Sequence, residues 1–290
     1  MAGIVQELKD LYKNGGALIR IIIINCAVFV VVAVVFLFSG QPKSFFMDKW
    51  FSLPSIPSDL LHKPWTLITY MFYHREIMHI LFNMLNLFWF GKIFLMYFDE
   101  RKMVGLYFLG GITGGIFYVG FTNIFSAVFG VGILMGASAS IIAIMFASAF
   151  HVPNFKLFMV FIGQVKLIYI AIFSLFLYVV MIAGSNNAGG NLAHIGGAVL
   201  GYLWVKQMKQ GMDMTKGFTW LIDLFGSLFK RRKLKVTHKR PPIDDLEYNK
   251  QKITNQKEID RILDKISKGG YESLSKAEKD ILFNVSNKKN

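Results

Sequence analysis

The sequence predicts an all-α membrane protein, a six-transmembrane-helix bundle with a small C-terminal helical extension, and three observations carry that prediction. Hydrophobic residues make up 54% of the 290 positions and charged residues only 17%, a balance foreign to water-soluble domains. From Met103 to Phe155 there is no Asp, Glu, Lys or Arg. Charge collects instead at one end, with 20 of the 32 Lys and Arg and 11 of the 18 Asp and Glu beyond residue 205.

A bilayer core takes about 20 apolar residues per helix. Breaking the chain at charges, Pro and Gly/Asn clusters gives spans near 18–39, 77–97, 103–123, 134–151, 166–184 and 190–209. The first, "IIIINCAVFVVVAVVFLF", exceeds the apolar length of a removable signal and has no small-x-small site after it, so it is kept as a span. The connection "DERK" at 99–102 and the segment with Lys156 and Lys166 carry positive charge, whereas those near 124–133 and 185–189 carry none. Positive-inside then places both termini in the cytoplasm. The link over 40–76, with "SFFMDKWFSLPSIP", is expected outside, against the outer membrane surface.

Beyond the spans, Phe218, Leu221, Ile222, Phe225, Leu228 and Phe229 recur at helical spacing and predict a helix lying in the inner membrane surface. Seven basic residues follow between Lys230 and Arg240. Their place just after the membrane portion points to an anchor on anionic lipid and not to nucleic acid, despite the net charge of +14. Next, Ile259, Ile262, Leu263 and Ile266 form an apolar stripe ending at Gly269-Gly270, and a second helix is expected from Ser275 with Glu278 completing a capping box. The organisation is a cytoplasmic segment (1–17), the membrane domain (18–209), the interfacial helix and basic linker (210–240) and a cytoplasmic helical-hairpin tail (241–290). The single cysteine, Cys26, rules out an intramolecular disulfide.

In this topology the second, fourth and sixth spans run inward from the outer face, so residues a few positions into each share one depth. Those positions hold His79 and Asn83 ("MHILFNM"), Ser138 ("MGASAS") and His194 ("NLAHIGGAVLG"). Strongly polar side chains are costly at such depth and by default face a cavity or one another. Together they suit one chemistry, a serine whose proton is taken by a histidine. His79 and Asn83, four apart, share a helix face and can aim at a developing oxyanion; the Ser138 N–H joins them if the fourth helix starts nearby. No carboxylate lies between Glu100 and Asp213, so the site is expected to be a dyad. Gly197 and Gly201 strip one face of the sixth span and let a neighbour approach; if that neighbour is the fourth span, with Gly136 and the small residues around Ser138, Ser138 and His194 come within hydrogen-bonding reach. The histidines sit on separate helices with no carboxylate or Cys set, so no metal is expected, and no nucleotide motif or other cofactor signal is present.

These residues resemble the rhomboid family of intramembrane serine proteases. The matching pieces are "HREIMHILFN" (74–83), "GASA" (136–139) and "AHIGGAVLG" (193–201), in the family's order, within a region of similarity spanning 18–209. The resemblance implies Ser138 as nucleophile, His194 as general base, His79, Asn83 and the Ser138 amide as the oxyanion site, and His74 as an accessory polar position. It also implies single-span membrane proteins as substrates, entering sideways and partly unwinding. Two departures are visible. The family's aromatic one turn after the serine is Ile142 here, so His194 is expected to be held less firmly; the family's Trp-Arg in the outer loop is Trp65-Thr66, so that loop's anchoring is expected to differ. "AGSNNAGGN" (183–191) is expected to cap the site, with water reaching it from outside. The tail resembles those of rhomboid-like proteins of Bacteroidetes-type bacteria, which implies a multi-pass protein of the bacterial inner membrane. The rival reading is an inactive relative that binds transmembrane helices; a transporter is disfavoured because the spans hold no Asp or Glu.

Overall fold

The computed structural model describes residues 2–39, 47–159, 162–184, 187–229 and 245–287. The chain divides into two units, Met1–Lys230 and Arg231–Asn290. In the first, α1 (Ala2–Asn14) and α2 (Gly16–Ser39) precede a loop region of α3 (Met47–Phe51), β1 (Leu53–Pro54), α4 (Pro57–His62) and α5 (Thr66–Thr69). The bundle continues with α6 (Ile77–Leu95), α7 (Glu100–Ile124), the short α8 (Ser126–Phe129), β2 (Ile133–Leu134) and α9 (Ser138–His151). A hairpin of β3 (Lys156–Met159) and β4 (Gly163–Lys166) leads to α10 (Leu167–Gly184), α11 (Ala188–Met208) and α12 (Thr215–Phe229). By length and composition, Gly16–Phe38, Ile77–Leu95 and Glu100–Ile124 are each able to cross a bilayer, and Ser138–His151 and Leu167–Ala183 are shorter apolar helices.

α9 is the centre of the bundle. Every residue from Ala139 to Ala149 is buried, which is why this segment is apolar all round and shows no amphipathic stripe. Glycines let its neighbours close in. A Cβ on Gly110 or Gly114 of α7 would sit 2.5 or 2.6 Å from the Cβ of Ala143 or Ala139. On α11, a Cβ on Gly197 or Gly201 would sit 2.2 or 2.3 Å from the carbonyl oxygens of Ala139 and Ala143. Contact between helix backbones at this range needs residues without side chains, because within lipid it is packing that holds helices together. α2, by contrast, is peripheral, with only 17% of its apolar window buried.

Three helix starts are capped by carboxylates. Asp99 accepts from Lys102 N–H at 2.9 Å at the start of α7, and Glu100 reaches over to accept from Ala17 N–H at 3.0 Å at the start of α2. Asp213 accepts from Thr215 N–H at 2.9 Å at the start of α12 and from the indole of buried Trp204 at 3.3 Å. α12, expected simply to lie in the membrane surface, packs on the bundle. Thr215 fills the space over Gly105, the rings of Phe108 and Phe218 stand 5.2 Å apart, and Arg101 pairs with Asp223. The basic linker over 230–240 lies outside the described residues, as do 185–186 of the expected cap; what is described of that cap is the end of α10 and the first turn of α11.

The described part of the 40–76 link, residues 47–76, is folded. β1 pairs with β2 antiparallel, Leu53 opposite Leu134. Trp50 and Trp65 stack at 5.9 Å, and Thr66 is fully buried with its hydroxyl donating to Lys63 O at 2.7 Å. The ion pair that anchors the loop joins Asp48 to Arg75, with Tyr73 Oη donating to Asp48 Oδ1 at 2.7 Å. The arginine missing after Trp65 is thus answered by one from the other end of the loop. Asp48→Ala strands Arg75 and Tyr73, and a partly exposed pair of this kind is worth about 1–3 kcal/mol. The apparent melting temperature in detergent is expected to fall by several degrees, with Asp48→Ala/Arg75→Ala recovering part of the loss; an unchanged melt for the single variant counts against the anchor.

The second unit is a helical hairpin, α13 (Asp245–Gly269) and α14 (Lys276–Asn287). Among the described residues Ile262 and Leu274 are buried, while Leu263 is 49% exposed, so the expected apolar stripe is only partly turned inward. The turn passes through Gly270 at φ +74°. Glu278 accepts from Ser275 N–H at 2.8 Å and Ser275 Oγ lies 3.4 Å from Glu278 N, the capping box the sequence predicts. The Ser275 N–H, together with Lys265, draws the Glu278 carboxyl down to about 2.

Candidate active site

Ser138 is the first residue of α9. The span predicted from 134 begins four residues later because the approach is held out of helical geometry. Ile133 and Leu134 are in β2, Gly136 takes φ +109°, and its N–H donates to Tyr70 O at 2.8 Å. The Ser138 N–H therefore precedes the first helical carbonyl and has no acceptor within its helix. Ala137 N–H is used otherwise, donating to Nε2 of the buried His74 at 3.3 Å. That gives His74 a place: it pins the residue before the serine and makes no contact of its own with Ser138 Oγ.

The α9–α11 approach at Gly197 and Gly201 brings the fourth and sixth spans together, and Ser138 Oγ lies 2.7 Å from His194 Nε2. The other ring nitrogen, His194 Nδ1, is buried without a hydrogen-bond partner. No acidic residue orients the imidazole. Tyr178 of α10 does contact it, with ring centroids 4.6 Å apart at 59°. The expected looseness at His194 is therefore answered from a different helix, while Ile142 is buried on the cavity wall.

A cavity of about 180 Å³ opens beside the pair, lined by Asn83 and Asn86 of α6, Ile142 and Met145 of α9, and Ser174 and Tyr178 of α10. Asn83 is buried and donates one amide hydrogen to His79 O at 3.0 Å, leaving its second free to turn to the cavity. His79 stands one turn earlier, behind Gly136. A Cβ on Gly136 would lie 2.7 Å from the His79 ring and 3.8 Å from Asn83 Nδ2, and the His74 and His79 rings meet edge-on at 5.0 Å. The structure thus gathers Ser138, His194 and Asn83 on one cavity, with His79 packed against the serine loop. Among the described residues no group of three His, Cys, Asp or Glu is placed to hold a metal ion. Sequence reasoning missed Tyr178 and Ser174, although their spacing of four within "SLFLY" puts two polar atoms on one face of α10.

Comparison with known proteins gives the family. Residues 61–210 match the Rhomboid domain family, and residues 243–288 match a family of unknown function (DUF6576). The chain is 30% identical over 203 residues to RHOMBOID-like protein 12, mitochondrial, of Arabidopsis thaliana, covering 66% of this chain and 58% of that relative's length. A family match over more than half of the chain, on a bundle of apolar helices, makes this integral membrane protein a member of the rhomboid family.

Proposed function

We propose that the protein is an intramembrane serine endopeptidase using a Ser138–His194 dyad. The observation that carries this reading is the 2.7 Å contact between Ser138 Oγ and His194 Nε2, across 56 residues and two helices. With its proton on Nδ1, neutral His194 accepts from the serine hydroxyl. Ser138 Oγ attacks the scissile carbonyl as Nε2 takes its proton. The oxyanion meets the Ser138 N–H and the Asn83 amide, with His79 supporting the serine loop and supplying a further donor. His194 then returns the proton to the leaving amine; water, deprotonated by the same nitrogen, attacks the acyl carbon, and the proton passes to Ser138 Oγ as the ester bond breaks.

The substrate in this reading is a single-span membrane protein. A helix interior hides its carbonyls in hydrogen bonds, so the chain must open before attack, and small or helix-weakening residues are expected near the cut. Positive charge at 99–102, Lys156 and Lys166 supports both termini on the cytoplasmic side, with the linker over 230–240 against anionic lipid. Purified full-length protein in liposomes is expected to cleave a single-span substrate, and Ser138→Ala to leave no cleavage above background. Equal cleavage by both proteins defeats the proposal.

A further inference from the structure

His194 is held at one end only. Its Nε2 meets Ser138 Oγ, but the buried Nδ1 has no partner, and the sequence offers no carboxylate between Glu100 and Asp213. A single hydrogen bond at Nε2, which lies close to the extension of the Cβ–Cγ axis, leaves rotation of the ring about that axis weakly restrained. A second constraint is required, and in this chain it does not come from α9, where the cavity-facing residue one turn after Ser138 is aliphatic Ile142. A contact able to supply it is the ring of Tyr178, 4.6 Å from His194 centroid to centroid and tilted by 59°, inside the range in which aromatic pairs attract.

We infer that Tyr178 is the positioning residue for His194, fixing the imidazole plane from α10; this rests on the protease reading above. The contact has a second consequence at the moment of proton transfer. When Ser138 Oγ gives its proton to Nε2, His194 becomes an imidazolium in a site with no counter-charge on the spans. A π-system within about 6 Å stabilises a cation, so the Tyr178 ring acts more strongly on the charged state than on the resting one. That difference appears in kcat and not in substrate binding. Because Tyr178 also lines the cavity, a displacement of α10 bears directly on the orientation of the base.

The test separates the ring from the space it fills. Tyr178→Phe keeps the π-face, while Tyr178→Leu occupies a similar volume without it, and Tyr178→Met serves the same comparison should the Leu protein lose its fold. Two readouts are taken in liposomes: the rate of Ser138 labelling by a serine-reactive phosphonate, and kcat and KM on a single-span substrate. The Leu or Met protein is expected to lose roughly tenfold in labelling rate and kcat with KM nearly unchanged, and the Phe protein to stay within about threefold of wild type. Wild-type kcat in the Leu or Met protein overturns the inference, as does a Phe protein damaged equally. A wild-type protein that takes no label overturns the protease reading and the inference together, a result distinct from equal labelling in all variants.

Discussion

His194→Ala is expected to lower the rate of Ser138 phosphonylation and of substrate cleavage by about 10³-fold or more, and Ser138→Ala to abolish labelling altogether. The size follows from the site's economy of parts. With Nδ1 unpartnered and no acid on the spans, no third group shares the base's task, and removal of Nε2 leaves Ser138 a plain alcohol with a pKa far above any working pH. Residual activity then comes from the oxyanion donors alone. Of these, Asn83 lines the cavity beside Ser138 and His79 lies behind Gly136, so Asn83→Ala is expected to cost more than His79→Ala, with about 10²-fold typical for one donor. The measurement is the second-order rate of labelling at Ser138 in detergent and in liposomes. Comparable labelling of His194→Ala and wild type favours the rival reading, a helix-binding relative without catalysis.

The apolar helices of the bundle and their order are legible in the sequence because lipid imposes a crude rule, about 20 apolar residues bounded by charge or Gly/Asn clusters. The place where that rule misjudges a boundary is the site. "LMGA" is apolar enough to extend a span, but Gly136 at φ +109° and the pairing of Leu134 with Leu53 hold it straight, and no hydropathy window reports a strand partner 81 residues away. The same limit applies at Arg75. Its pairing with Asp48 is a tertiary event between two loop positions, invisible to periodicity. Tyr178 is hidden for another reason. It sits in "SLFLYVV" among half-buried and exposed apolar residues, and only its distance to His194 distinguishes it from an ordinary tyrosine of an apolar helix. Ser138, His194 and Asn83 are legible in the sequence, since strongly polar groups on three apolar helices have few places to go except toward each other.

Gly197→Ala is the substitution that tests whether this geometry depends on backbone contact. An added Cβ would lie 2.2 Å from Ala139 O, 3.0 Å from its carbonyl carbon and 3.2 Å from its Cα. All three neighbours are backbone, so no side chain can turn aside. Ordinary contact begins near 3.4 Å, and 3.4 minus 2.2 leaves roughly 1.2 Å to be found by moving α11 from α9. Ser138 is the residue before Ala139 and His194 is three before Gly197, so the displacement falls on the 2.7 Å contact itself. A misplacement of about 1 Å between reacting groups can cost 10²-fold, and that is the loss expected in labelling and cleavage. Gly120→Ala on α7, where an added Cβ meets nothing within 4 Å, supplies the control and should retain activity. A Gly197→Ala protein that melts like wild type yet labels 10²-fold more slowly locates the effect in alignment of the dyad. One that labels at the wild-type rate shows instead that the two helices part without separating serine from histidine, and the close approach of α9 and α11 loses its role in the site.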